Sequence, residues 1–308
     1  MHIPDGFLEP KVWVSLTAVS AAAVAYASKK VSKDLDEKKV PLMGVIAAFV
    51  FAAQMVNFPV GGGTSGHLMG GVLIATIMGP FAAILMISTV LIIQALLFQD
   101  GGITTLGANI FNMGIVGAGL GYLTFKGLNR VTGNLNFAVF TASWLSVVTA
   151  AGTAAAELSI SGVIPIAVSL PAMTGVHAII GIGEGAITIA ALGLISGVSV
   201  DVFYGVQTVE ERKVQRRPIL WILLAVSMSV AVFIAPFASE FPDGLEKVAE
   251  SLGFLERGTS KVTSPLPDYQ IPGLSGGIST SMVGVVGVLA TFGLAYMIIK
   301  IMHRKVKR

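Results

Sequence analysis

Apolar residues gather into runs of helical length, parted by short polar, glycine-rich or basic joints. The runs cover about 12–28, 41–59, 105–125, 135–156, 174–199, 219–237 and 281–301. Each is near the roughly 20 residues that cross the hydrocarbon of a bilayer. The run 68–97 admits one long helix or two short ones broken at Gly79-Pro80. Charge placement decides between them. Joint 29–39 carries Lys29, Lys30, Lys33, Lys38 and Lys39, which puts it in the cytoplasm and the N-terminus outside. If 68–97 crosses twice, Lys126 and Arg130, the group Arg212, Lys213, Arg216 and Arg217, and the tail with Lys300, Arg304, Lys305, Lys307 and Arg308 all fall inside. Sixteen of the twenty lysines and arginines then lie on one side, and a single crossing would export eleven of them. The pattern predicts an all-α polytopic membrane protein with about nine transmembrane helices and a cytoplasmic C-terminus. At about 1.5 Å per residue, 68–78 is too short to span alone. The glycine-rich segment before it must therefore descend into the protein, which is tolerated where backbone is buried or lines a cavity.

Composition agrees. Hydrophobic residues make up 54% of the 308 and charged residues 12%, about half the charge of a soluble domain. The net charge of +3 sits in membrane-flanking joints and gives no reason to invoke nucleic acid. The absence of cysteine excludes disulfides and thiolate metal sites. Residues 1–10 are acidic and contain Pro4, Gly6 and Pro10, unlike a cleavable signal peptide.

The opening Met1-His2-Ile3-Pro4-Asp5-Gly6 carries the clearest chemistry. A free amine, the His2 amide nitrogen and the His2 imidazole can close a five-membered and then a six-membered chelate ring on one ion. That leaves one corner of a square plane open, an arrangement suited to Ni(II) or Cu(II) rather than Zn, Mg or Ca. Initiator methionine is generally retained before a residue as large as histidine. The fourth nitrogen is expected from His67, which follows the Gly61-Gly62-Gly63-Thr64-Ser65-Gly66 stretch on the same outer side. Thr64 and Ser65 are expected to cap the next helix, and they or Asn57 to hold the imidazole orientation. Residue chemistry alone leaves open that His2 is a disordered terminal residue and His67 a satisfied polar group.

The opening hexapeptide, the Gly61–His67 loop and the run Gly175-Val176-His177 to Gly181-Ile182-Gly183-Glu184 resemble the nickel/cobalt family of energy-coupling-factor transporters. The likeness is to its substrate-capture subunits, CbiM and NikM, over about 1–217. Residues 218–308, with Pro242-Asp243-Gly244-Leu245-Glu246 and two apolar runs, are similar to the companion subunit NikN. The resemblance implies a chain with seven helices in the first part and two in the second, in the membrane of a prokaryotic cell. It implies that Met1, His2 and His67 coordinate transported Ni2+ or Co2+, with no catalytic cofactor. It also implies a separate transmembrane coupling protein and two cytoplasmic ATPases. No Gly-Lys pair occurs, hence no Walker A loop. The rival of an intramembrane metallo-enzyme is disfavoured, because no His-Glu-x-x-His motif is present and a filled nitrogen plane leaves no position for water.

Other residues carry weaker expectations. His177 and Glu184, seven apart on one helical face, suggest a second metal site or relay, with a buried hydrogen-bonded pair that fixes packing as the preferred reading. Asp5, Glu9, Asp100 and Glu157 are expected at the outer rim, either as a cation-concentrating mouth or as solvated loop charges. Met43, Met55, Met69, Met78, Met86 and Met113 suggest a soft copper path or, as the preferred reading, packing filler. Ala48 and Ala52 give a small-residue face suited to the coupling protein or to internal packing. Leu245, Val248, Ala249, Leu252 and Leu255 form an amphipathic stretch.

Overall fold

The computed structural model describes the chain apart from residues 34, 36–38, 199–203, 205–215, 260–262 and 307–308. The basic cluster at Arg212 and Lys213, used above to orient the chain, lies outside the described residues. Helices α1 (Pro10–Lys33), α2 (Lys39–Gln54), α3 (Gly71–Met78), α4 (Pro80–Phe98), α5 (Leu106–Thr132), α6 (Leu135–Ile160) and α7 (Ile166–Val198) build the first part. Helix α8 (Arg216–Ser229) continues through wide turns to Ile234 and a tight turn to Phe237, a short α9 (Gly244–Ser251) follows, and α10 (Gly277–Val306) is the last helix described. Among the described residues, seven helices are long and apolar enough to cross a membrane, and α2 adds a shorter apolar one.

The break inside 68–97 falls where the sequence puts it. Gly79 takes φ +87, a conformation that ends α3 without a Cβ penalty, and Pro80 then opens α4 at a position where its missing N–H costs nothing. Helix α3 is only eight residues long. It is reached through a two-stranded hairpin, β1 (Phe58–Val60) and β2 (Thr64–Gly66), paired Phe58 to Gly66 and Val60 to Thr64. Gly62 and Gly63 turn the hairpin at φ +80 and +69. The Gly61–Gly63 tip is exposed and touches nothing within 4 Å of a built Cβ. It is therefore not the lining of a site, contrary to expectation; the buried arm Thr64-Ser65-Gly66 and the loop beyond it enter the bundle.

Small residues set the helix spacing. Gly71 lies against Ala118 of α5, and the C-terminal span α10 reaches α2 where Gly287 meets the Phe51 ring. Ala48 and Ala52 are both fully buried. They serve internal packing and present no face to a partner, which corrects their reading as coupling-protein contacts. Much of α1, by contrast, is uncovered, with Val14, Val19 and Tyr26 about half exposed.

Candidate metal centre

The first six residues do not trail in solvent. They thread into one end of the bundle, where Ile3 is fully buried and Met1 and His2 nearly so. A cradle formed by the α4–α5 loop and the start of α5 holds them by their main chain. The Ile3 N–H donates to Asn109 Oδ1 at 2.8 Å, and its carbonyl accepts from Asn109 Nδ2 at 3.1 Å, Gly102 N at 2.9 Å and Thr105 Oγ1 at 2.5 Å. Gly102 has no room for a side chain, since a Cβ there would stand 2.3 Å from the Asp5 nitrogen. The Asp5 carboxyl accepts from the Thr104 N–H at 2.8 Å and from the Thr104 hydroxyl. Asp5 is thus a buried anchor and not a rim charge.

The cradle brings the N-terminal amine to 2.8 Å from His67 Nε2 and 2.8 Å from Asp243 Oδ2. The His2 and His67 rings stack at 5.0 Å between centroids, tilted 22°. His2 Nδ1 lies 3.0 Å from Asp100 Oδ1, and its Nε2 is buried without a partner. His67 Nδ1 donates to the Leu68 carbonyl at 3.0 Å, which fixes the tautomer and leaves the Nε2 lone pair turned to the amine. Burial, the adjacent amine and the His2 imidazole lower the His67 pKa to about 3, so this imidazole is neutral at physiological pH. Burial works to raise Asp100 and Asp243. The His2 and His67 imidazoles nonetheless hold Asp100 below the usual carboxylate range, and the amine with His67 does the same for Asp243. Tyr269 donates to Asp100 Oδ2 at 2.6 Å, and burial followed by that charge raises its own pKa well above normal.

Two of the charged partners come from segments far apart in the chain. Asp243 caps α9, accepting from Leu245 and Glu246 N–H at 2.8 Å each, in a capping box that Glu246 completes. The strand β2 holds this loop in place. Ser65 Oγ donates to the Phe241 carbonyl at 2.7 Å, Ser65 N to Pro242 O at 2.9 Å, and Thr64 Oγ1 to Pro242 O at 3.0 Å. Thr64 and Ser65 therefore neither cap the next helix nor orient His67, because their hydroxyls are spent on the loop of the second region. Asn57 accepts the Ser239 N–H on its carbonyl at 2.8 Å, and with His2 and His67 it lines an open vestibule of about 590 Å³. Asp100, Glu240, Asp243, Glu246 and Asp268 also line it. The acidic mouth exists, but the second region supplies most of it. Glu9 pairs with Lys11 at the surface, and Glu157 is buried, accepting from Asn112 at 2.9 Å.

His177 and Glu184 are both buried in α7 but do not pair. The Glu184 carboxyl accepts from Met69 N at 2.5 Å and Gly70 N at 2.9 Å, clamping the loop that carries His67. His177 Nδ1 contacts the Met173 carbonyl at 2.8 Å. The amphipathic stretch is divided: Leu245, Val248 and Ala249 are buried, whereas Leu252 and Leu255 remain exposed.

Asp243 and Asn109 were not anticipated as parts of the site. The Asp243-x-x-Glu246 capping signature was visible in the sequence, but nothing local ties it to residue 1.

Known proteins resemble both parts of the chain. Residues 2–202 match CbiM, the cobalt uptake substrate-specific transmembrane region, and residues 217–304 match the PDGLE domain. The chain is 35% identical over 301 residues to an Archaeoglobus fulgidus protein provisionally named fused nickel transport protein NikMN, covering 96% of this chain and 97% of that one. It is 45% identical over 118 residues to the fused nickel transport protein NikMN of Rhodobacter capsulatus, 38% of this chain and 34% of that one. A provisionally named cobalt transport protein CbiM of Archaeoglobus fulgidus is 35% identical over 214 residues, 66% of this chain and 97% of that one. The crystal structure of a truncated transition metal transporter superposes with a TM-score of 0.59 at 34% identity, covering 64% of this chain and 99% of that one. Matched to CbiM over residues 2–202 and to one fused relative over 96% of its length, the chain belongs to the CbiM family of nickel and cobalt transport proteins, with a PDGLE domain fused behind it.

Proposed function

We propose that this chain is the capture and translocation subunit of an ATP-driven Ni(II) importer, and that the ion is held by four nitrogens: the Met1 amine, the His2 amide, His2 Nδ1 and His67 Nε2. The observation that carries this reading is the 2.8 Å between the amine and His67 Nε2. With metal–nitrogen bonds of about 2.0 Å, neighbouring corners of a square plane stand about 2.8 Å apart. These two donors already have that spacing, and covalent geometry brings the other two with residue 2. Among the described residues no three His, Cys, Asp or Glu side chains cluster to hold a metal, and in this reading the main-chain amine and amide complete the donor set. His67 is neutral and oriented through Nδ1, the usual support for a ligating imidazole. Asp243 and Asp100 hold the amine and His2. When nickel replaces the amine and amide protons and the His2 Nδ1 proton that faces Asp100, both carboxylates remain beside it as counter-charges. The acidic vestibule concentrates cations at the entrance.

We divide the chain into a metal-binding region, 1–217, and a second region, 218–308, whose Asp243 loop closes over the first. The vestibule end faces outward and the lysine-rich end inward, in the cell membrane of a prokaryote. At that inner end Lys30 and Lys39 line a cavity of about 230 Å³ with Tyr204. With no Walker A loop of its own, the chain relies on a coupling protein and two cytoplasmic ATPases to drive reorientation. A second reading, Co(II), is favoured by the relatives named for cobalt; it shares the residues and differs in the preferred plane. Adding one residue ahead of Met1 tests the site. The amine then leaves the chelate, and nickel binding by the purified chain should be lost; unchanged affinity would remove the N-terminus from the site.

A further inference from the structure

Beside the amine lies a small cavity of about 20 Å³, lined by Met1, His67 and Asp243 and by Met69, Met113 and His177. That is about one water-sized centre. His177 is 1% exposed, and its Nε2 has no hydrogen-bond partner. Its Nδ1 faces the Met173 carbonyl at 2.8 Å, so Nδ1 carries the proton and Nε2 presents a bare lone pair. An orphaned acceptor at this depth is costly unless something occupies the cavity. His67, which lines the same cavity, also sets Nδ1–H on a carbonyl, that of Leu68, while its Nε2 lone pair accepts from the Met1 amine. A carbonyl behind Nδ1 with Nε2 free is how proteins prepare imidazoles for metals. Met69 and Met113 also line the cavity, and their thioethers are soft ligands of the kind that suit late transition metals. Gly244 keeps the space above His177 open, because a Cβ there would stand 2.9 Å from Nε2 and 2.7 Å from Cε1.

We propose that His177 Nε2, with the Met69 and Met113 thioethers, forms a second and weaker metal site one step deeper than the four-nitrogen plane, which receives the ion after it leaves the N-terminus. The proposal rests on the capture reading above, and its test separates the two. The chain with one residue added before Met1, where the plane cannot close, is titrated with Ni(II) alone and examined by nickel X-ray absorption. One weaker equivalent should remain, with imidazole and sulfur around the metal. In the same background His177→Leu should abolish that equivalent, as should His177→Gln, whose amide can still donate to the Met173 carbonyl should the leucine variant fold poorly. Met69→Leu with Met113→Leu should remove the sulfur signal. No residual nickel, or residual nickel that survives both His177 variants, would overturn the second site. If the extended chain kept wild-type affinity the capture reading would fall, and the loss or survival of sulfur-ligated nickel with His177 replaced would still decide this one.

Discussion

Replacing Glu184 by glutamine tests whether the loop behind His67 is held from below. The Glu184 carboxyl is fully buried and accepts two main-chain N–H groups, from Met69 at 2.5 Å and Gly70 at 2.9 Å. Glutamine is nearly isosteric but offers one acceptor oxygen and one donor amide. Either Met69 or Gly70 would then face a donor in a dry interior, which costs about 1–3 kcal/mol. The metal-free protein can escape this cost by letting the loop shift. Nickel must then draw His67, two residues from Met69, back into place. The whole relaxation energy is the upper bound on the affinity loss, about 5- to 150-fold at 1.4 kcal/mol per decade. Calorimetric titration of the purified variant should show one equivalent of nickel bound more weakly, with a lowered melting temperature. Affinity and melting temperature both equal to wild type would refute the clamp.

Three further outcomes are expected. Asn109→Ala removes the acceptor of the buried Ile3 N–H, again about 1–3 kcal/mol, so hydrogen exchange of residues 1–6 should accelerate about 5- to 150-fold; unchanged protection would show that the cradle does not hold the N-terminus. Gly244→Ala would place a methyl 2.7 Å from His177 Cε1 and should destabilise the protein by about 1–3 kcal/mol of overpacking, read as a lower melting temperature that Ile180→Val partly restores. The third concerns pH. The His67 pKa falls from its ordinary 6.5 to about 3 on folding, so its neutral form adds stability above pH 6.5 that is lost as acid approaches pH 3. Thermal stability of the metal-free protein should decline over that window and less steeply between pH 6.5 and 5 in His67→Asn; identical profiles would show that His67 does not titrate with folding.

Features set by neighbours in sequence were legible. The Gly79-Pro80 break and the short α3 follow from local backbone chemistry, whereas the glycine tip expected to descend stays exposed and only Thr64-Ser65-Gly66 enters the bundle. The meeting of the N-terminus with His67 was legible too, because charge placement puts both on the outer side, small residues before His67 leave room for a visiting peptide, and the family resemblance joins them. What failed was anything fixed by distant packing. Asp243 reaches the amine from 242 residues away. Thr64 and Ser65 looked like caps, since a hydroxyl before a helix usually finds an N–H. Here the carbonyls of Phe241 and Pro242 compete and win. Asp5 and Glu157 looked like rim charges because polarity alone does not reveal burial, and both are enclosed with hydrogen-bond donors. Ala48 and Ala52 carry a packing signal that is the same for an internal helix and a foreign one, and α10 takes up the space beside α2.

The central claim concerns the geometry around nickel, and the electronic state of the bound ion reports it most directly. The purified native chain with one equivalent of Ni(II) should be yellow and diamagnetic, the signature of a low-spin square plane of nitrogens. The same sample with the Met1 amine acetylated should lose that band. A paramagnetic nickel centre in the native chain, or an identical spectrum after acetylation, would contradict the four-nitrogen site.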